Sequence, residues 1–183
     1  MTENQKTDRN RFTRMNIGEA VAALLKEKEF EKIQISEITK KAGVSRMTYY
    51  NYYETKEHAL KDYLYELIKE FIVESDRHPE VGGMLTYGHI VFSLMFFDKY
   101  ADFLLTLNKS GFYGMIINAM NEFMLEHISS IYKGSVYELY CYTGALLNLF
   151  IKWEENRKDM SAEEVGKIIS GFLIEKIKNQ LKN

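Results

Sequence analysis

Four tyrosines fall within five positions, at Tyr49, Tyr50, Tyr52 and Tyr53, in the stretch KKAGVSRMTYYNYYETKEHAL that begins at Lys40. A phenol joins an apolar ring to a hydroxyl that donates and accepts hydrogen bonds. A helix has one buried stripe, and sequence neighbours point about 100° apart, so a turn and a half of helix can bury two of these rings. Tyr49 and Tyr53, spaced i, i+4, form the inward pair, and Tyr50 and Tyr52 cannot share their face. The residues just before them suit a nucleic acid. Arg46 can donate bidentately to guanine, the Thr48 hydroxyl can bond a base or a phosphate, and the Met47 side chain can lie against a thymine methyl. Tyr50 and Tyr52 would then flank a groove with their hydroxyls on phosphate or base, with Lys56 placed for a phosphate as well.

The elements that must hold these groups are two short helices. Ile38 and Ala42 turn the first inward, over Ser36 to Ala42, with Ser36 as its N-cap. Gly43 ends it as a C′ glycine would, Val44 packs inside, and Ser45 caps a second helix over Arg46 to Tyr52. This is the helix-turn-helix pattern, in which the second helix enters the DNA major groove by its N-terminal end. A helix from Arg9 to Lys28 precedes it, with Phe12, Ile17, Ala20, Val21, Leu24 and Leu25 as its apolar stripe. A helix from Thr55 to Glu74 follows, bearing Leu60, Leu64, Leu67, Ile68 and Phe71.

The rest of the chain continues in the same style. With one proline and almost no strand-like alternation in 183 residues, an all-α protein is expected. SDRHPEVGG reads as a loop, and further helices are expected at Met84–Phe97, Lys99–Leu107, Phe112–Tyr132, Val136–Glu155 and Ala162–Leu181. The N-terminus is polar where a secretory signal needs an apolar core, and no apolar run approaches the roughly 18 residues of a membrane span, so a cytoplasmic protein without membrane contact is expected. Net charge is −2, but residues 1–60 carry 11 Lys+Arg against 9 Asp+Glu, leaving 13 against 17 for the remainder. A basic head on an acidic body allows local phosphate contacts without a high overall pI.

The segment ISEITKKAGVSRMTYYNYYETKEHAL, preceded by TRMNIGEAVAALLKEKEF, closely resembles the N-terminal DNA-binding domain of TetR/AcrR-type transcriptional regulators. The resemblance runs from Thr13 to about Leu64. It rests on the Gly43-Val44-Ser45 turn, the aromatic pair Tyr49-Tyr50, the aromatic Tyr52 and the lysine Lys56. It implies a homodimeric regulator, a repressor in most of the family, that binds a palindromic double-stranded DNA operator. It places Arg46, Met47, Thr48 and Tyr50 toward the groove, and Asn51, Tyr52 and Lys56 beside phosphates or bases, and Ser45 at the start of the same helix is counted among the DNA-binding residues with them. Three positions depart from the family pattern. Gln34 stands where a threonine is usual and can still donate to phosphate, Thr39 replaces an alanine, and Tyr53 replaces a phenylalanine and brings a hydroxyl that needs a partner. The division implied is a DNA-binding domain over 1–58 and a regulatory, dimer-forming domain over 59–183.

The helix Val136–Glu155 is apolar nearly all round. Leu139, Leu146, Leu147, Phe150 and Trp153 fill one side, with Tyr137, Cys141, Gly144, Ala145 and Ile151 on the other. The last helix, with Val165, Ile168, Ile169, Phe172, Leu173 and Ile177, has a similarly wide stripe. In a chain this short, a second subunit is the simplest cover, giving an intermolecular four-helix bundle with Cys141, Ala145, Asn148, Ile151, Ile168 and Phe172 at the interface. YTGALLNLFIKWEENRKDMSAEEVGKII resembles the dimer-forming helix pair of one TetR subgroup. Between the domains' ends, Phe71, Tyr87, Phe92, Phe96, Phe103, Phe112, Met115, Met120, Phe123 and Tyr137 could line a pocket for a small apolar effector, or simply form a core, in which case a protein co-regulator supplies the signal. His78, His89 and His127 have no metal-ligand spacing, Cys141 stands alone, and no catalytic signature is present, so neither a cofactor nor an enzyme is expected.

Overall fold

The computed structural model describes residues 3–181, with side chains from Asn10 to Phe172. Among the described residues the chain is all-helical, with nine α-helices, two 3-10 turns and no strand. None of these helices is long and apolar enough to cross a membrane. The chain divides into two compact units, Met1–Lys69 and Glu70–Asn183. The division falls inside a helix, eleven residues beyond the position read from the sequence.

In the first unit, α1 runs Glu3–Leu25, a 3-10 turn covers Phe30–Lys32, α2 covers Ile35–Ala42, α3 covers Arg46–Tyr50, and α4 begins at Lys56 and continues to Asp76. Ile17, Ala20, Val21, Leu24 and Leu25 are buried as the apolar stripe of α1 predicts, whereas Phe12 is 67% exposed. Five residues before Ile17, Phe12 sits about 140° round the helix from that stripe. α1 meets α4 closely at Gly18, where an added Cβ would come within 2.4 Å of the Tyr63 Cβ. Polar bonds hold the same pair together. Arg11 Nε donates to Glu66 Oε2 at 2.7 Å, and Arg14 Nε donates to Asp62 Oδ2 at 2.8 Å. These contacts, with buried Leu60, Leu64 and Leu67, carry the first unit well past residue 58.

In the second unit a 3-10 turn at Pro79–Val81 leads to α5 (Tyr87–Asp98), α6 (Ala101–Lys109), α7 (Tyr113–His127), α8 (Val136–Glu155) and α9 (Ala162–Leu181). α8 and α9 match the boundaries read from the sequence. α5 starts three residues later than Met84, because the Thr86 hydroxyl caps it by accepting the His89 N–H at 3.3 Å. α7 stops five residues short of Tyr132. The amides of Ile128 and Ser129 both point at the Met124 carbonyl, at 2.9 and 3.2 Å, and the helix unwinds there. Tyr132 stays buried even so, with its hydroxyl donating to Glu138 Oε2 at 2.6 Å. α5 and α9 approach at Gly166, where a Cβ would lie 2.7 Å from Val91 Cγ2, and α7 is tied to α8 by Thr143 donating to Asn121 Oδ1 at 2.5 Å.

The expected interface residues fall into two groups. Cys141, Asn148, Ile168 and Phe172 are exposed, the last at 82%, and Ala145 is half-buried. Ile151 is 3% exposed and belongs to the core of its own subunit, because it follows buried Leu147 by four residues and shares its face. The side chains of Leu173 and Ile177 lie outside the described residues.

Candidate nucleic-acid interface

The two short helices are fixed by their caps. Gln34, not Ser36, is the N-cap of α2, because its backbone N–H is taken by Glu37 Oε2 at 3.0 Å and the first turn begins two residues earlier than a serine cap would allow. α2 ends at Gly43, whose φ of 67° is left-handed and favours glycine. Val44 N–H then closes on the Thr39 carbonyl at 3.0 Å. Ser45 caps α3 by accepting the Thr48 N–H at 3.0 Å, and its hydroxyl also meets the Thr48 hydroxyl at 2.9 Å. Thr48 is therefore engaged in the cap as well as placed near the exposed end. α3 ends at Tyr50, two residues before the expected Tyr52, although Tyr52 and Tyr53 N–H still bond the Tyr49 carbonyl in a last turn, at 3.0 and 2.9 Å.

The tyrosines separate by face. Tyr49 is fully buried, and its hydroxyl has no partner among the described residues, so burial pushes its pKa up to about 12. Tyr53 is also buried, and its hydroxyl donates to the Asp62 carboxylate already held by Arg14. That supplies the partner its extra oxygen requires. Burial and this carboxylate both raise the phenol's pKa, and the same carboxylate raises that of the Arg14 guanidinium. Tyr50 is 58% exposed and stands edge-on to Tyr49, with centroids 5.4 Å apart. Tyr52 is half-buried, its hydroxyl donating to Asn10 Oδ1 of α1 at 2.9 Å.

Beside α3 lies an open groove of about 520 Å³ lined by Ile33, Gln34, Ile35 and Ser36 from the start of α2, Arg46 and Tyr50 from α3, and Glu54, Thr55 and Lys56 at the start of α4. Arg46 is exposed and has no hydrogen-bond or ion-pair partner among the described residues. Met47 is 75% exposed next to it, and Asn51 is exposed at the C-terminal end of α3. Lys56 is half-buried. Its ammonium donates to the carbonyls of Phe30 and of Ile33, the latter at 3.0 Å, and lies 4.5 Å above the Phe30 ring centroid. The structure thus brings Gln34, Arg46, Tyr50 and Lys56 to one groove, with Met47 exposed beside Arg46, and turns Tyr52 toward α1. Asn10, Arg14, Phe30 and Asp62 as supports are not legible in the sequence, because each acts across 9 to 48 positions.

Of the ten residues expected to line a pocket, Phe71, Phe92 and Phe96 pack together, and Tyr87 and Tyr137 are exposed. Phe71 is packed by Phe92, Phe96, Phe97 and the His89 ring at centroid distances of 5.1 to 5.9 Å. Tyr87 is 39% exposed, with its hydroxyl toward the Glu163 carbonyl at 3.4 Å, and Tyr137 is 74% exposed, so both face outward. Phe103 is buried on α6. Phe112, Met115, Met120 and Phe123 are half-buried at or along α7, where Phe123 stacks on His127 at 4.6 Å. His89 is held by Ser75 Oγ at 3.0 Å and Ser93 Oγ at 3.4 Å, and burial lowers its pKa to about 4. No group of His, Cys, Asp and Glu suited to a metal ion occurs among the described residues. No protein-family model matches the chain, and no curated protein matches it.

Proposed function

We propose that this chain is a sequence-specific DNA-binding transcriptional regulator of the TetR/AcrR type, a repressor, acting as a homodimer on a palindromic operator. The observation that carries the reading is the exposed end of α3. Arg46, Met47 and Tyr50 stand outward on a short helix fixed behind by a left-handed glycine and buried Tyr49, and a groove lined by the start of α2 lies beside them. In a helix-turn-helix that end meets base edges while neighbouring helix starts and hydroxyls meet phosphates. The exposed face of α8 and α9, with Cys141, Asn148, Ile168 and Phe172, is the surface a second copy would cover. The aromatic cluster around Phe71 is packed ring on ring, with Phe92 and Phe97 half-buried at its edge, so an apolar effector entering there would have to part the rings, and it would act by favouring that opened state.

The test is a titration of wild type and Arg46→Ala against operator-like and random duplexes at several salt concentrations. Arg46→Ala is expected to cost about 1–3 kcal/mol and to relax preference at one position per half-site. Binding that fails to weaken as salt rises, or no binding at all, would leave a helical interaction protein in place of a regulator. In parallel, Phe172→Arg should convert dimers to monomers in light scattering, and an unchanged mass would remove α8 and α9 as the interface.

A further inference from the structure

Two cations line the groove and are held in opposite ways. Arg46 points to solvent without a partner among the described residues, while Lys56 is turned inward. Two of the three N–H bonds of the Lys56 ammonium go to the carbonyls of Phe30 and Ile33, and the charge sits over the buried Phe30 ring. Phe30 and Ile33 bracket the 3-10 turn, where the Ile33 N–H closes on the Phe30 carbonyl at 3.1 Å, and Ile33 directly precedes Gln34, the N-cap of α2. Re-aiming Lys56 at a phosphate would give up two charge-assisted hydrogen bonds and a cation–π contact.

We propose that Lys56 is a positioning residue: it clamps the start of α4 to the 30–33 strap and thereby sets where the first turn of α2 stands beside α3, shaping the groove without neutralising a phosphate itself. The clamp is a property of the free protein, and its effect on DNA rests on the reading given under Proposed function.

Lys56→Met keeps the length and most of the apolar stem and removes the charge and the donors. In the free protein, amide hydrogen exchange from Ile33 to Ile38 should accelerate about tenfold or more, as expected when hydrogen bonds from a charged group are removed, with α8 amides unchanged. On random duplex DNA, binding by Lys56→Met should weaken, with log K against log salt running parallel to wild type. If Lys56 instead held a phosphate in each subunit, its removal would make that slope shallower by about 2, at roughly 0.9 per phosphate. Phe30→Leu, which alters no charge, should weaken DNA binding in the same parallel way, and it serves as the second variant if Lys56→Met does not fold. Unchanged exchange at 33–38, a slope shallower by about 2, or full DNA affinity in Phe30→Leu each overturns the proposal. If wild type binds no DNA, the regulator reading fails, and the exchange measurement alone decides the clamp.

Discussion

The rings around Phe71 and the tyrosines of α3 are both crowded aromatic groups, and they solve crowding differently. Phe71 is surrounded by Phe92, Phe96, Phe97 and His89, and the one polar ring has both nitrogens near serine hydroxyls. Nothing in that cluster requires solvent, so its centre at Phe71, Phe96 and His89 is buried and only Phe92 and Phe97 stay half-buried at its edge. Tyr49, Tyr50, Tyr52 and Tyr53 carry four hydroxyls on a single turn and a half. One goes to Asp62, one to Asn10, one to the exterior, and one is buried without a partner among the described residues. A hydroxyl is costly to bury unpaired, so a tyrosine cluster spreads toward partners and surface where a phenylalanine cluster contracts. The first kind of cluster presents chemistry outward, and the second supplies stability.

The largest effect should separate the two directly. Phe71→Ala is expected to cost about 3–5 kcal/mol in urea unfolding, and Tyr50→Ala less than about 0.5 kcal/mol while losing DNA affinity. Similar costs for both would erase the distinction.

Next comes acid. Burial holds His89 near pKa 4 in the fold against an ordinary 6.5, so the fold favours the neutral ring. That contribution is complete above pH 6.5 and is lost as pH falls toward 4, up to about 3 kcal/mol. His89→Gln should flatten the stability profile over this window. A wild-type profile already flat there would show that the ring is not protected as the packing indicates.

Asp62→Ala should cost about 2 kcal/mol, because Arg14 keeps only its longer bond to Glu66 Oε1 at 3.5 Å and the Tyr53 hydroxyl is left buried without an acceptor. Adding Tyr53→Phe to that variant should restore part of the stability, and strict additivity would dissolve the coupling between the two. Smallest of all, Tyr50→Phe should leave thermal stability unchanged while weakening DNA binding. Lower stability with intact DNA binding would place Tyr50 with the core.

Much of the fold is legible in the sequence where local rules decide. The bounds of α8 and α9 follow from a Ser-capped start in each case and unbroken apolar periodicity, and the inward pair Tyr49 and Tyr53 follows from i, i+4 spacing. The serine rule places the N-cap of α2 two residues late, because Glu37, reaching back to Gln34, outcompetes Ser36. Ile151 takes a face other than the one assigned from the sequence, since a helix that is apolar on most sides does not announce which side a neighbour will cover, whereas Phe12 lies off the stripe of α1 by its own spacing. The inward turn of Lys56 depends on a carbonyl 26 residues away, and no spacing rule reaches that far.

The contact at Gly18 has a mechanical meaning. With no Cβ there, α1 rests its backbone against Tyr63, and the ion pairs from Arg11 and Arg14 lie further along the same seam. Two helices seated backbone to ring and bonded at two further points are held against rolling or sliding past one another. Within the first unit, a push on the opening turns of α4 is borne by α1, as by a key in its slot, and the methyl added by Gly18→Ala would wedge the two apart.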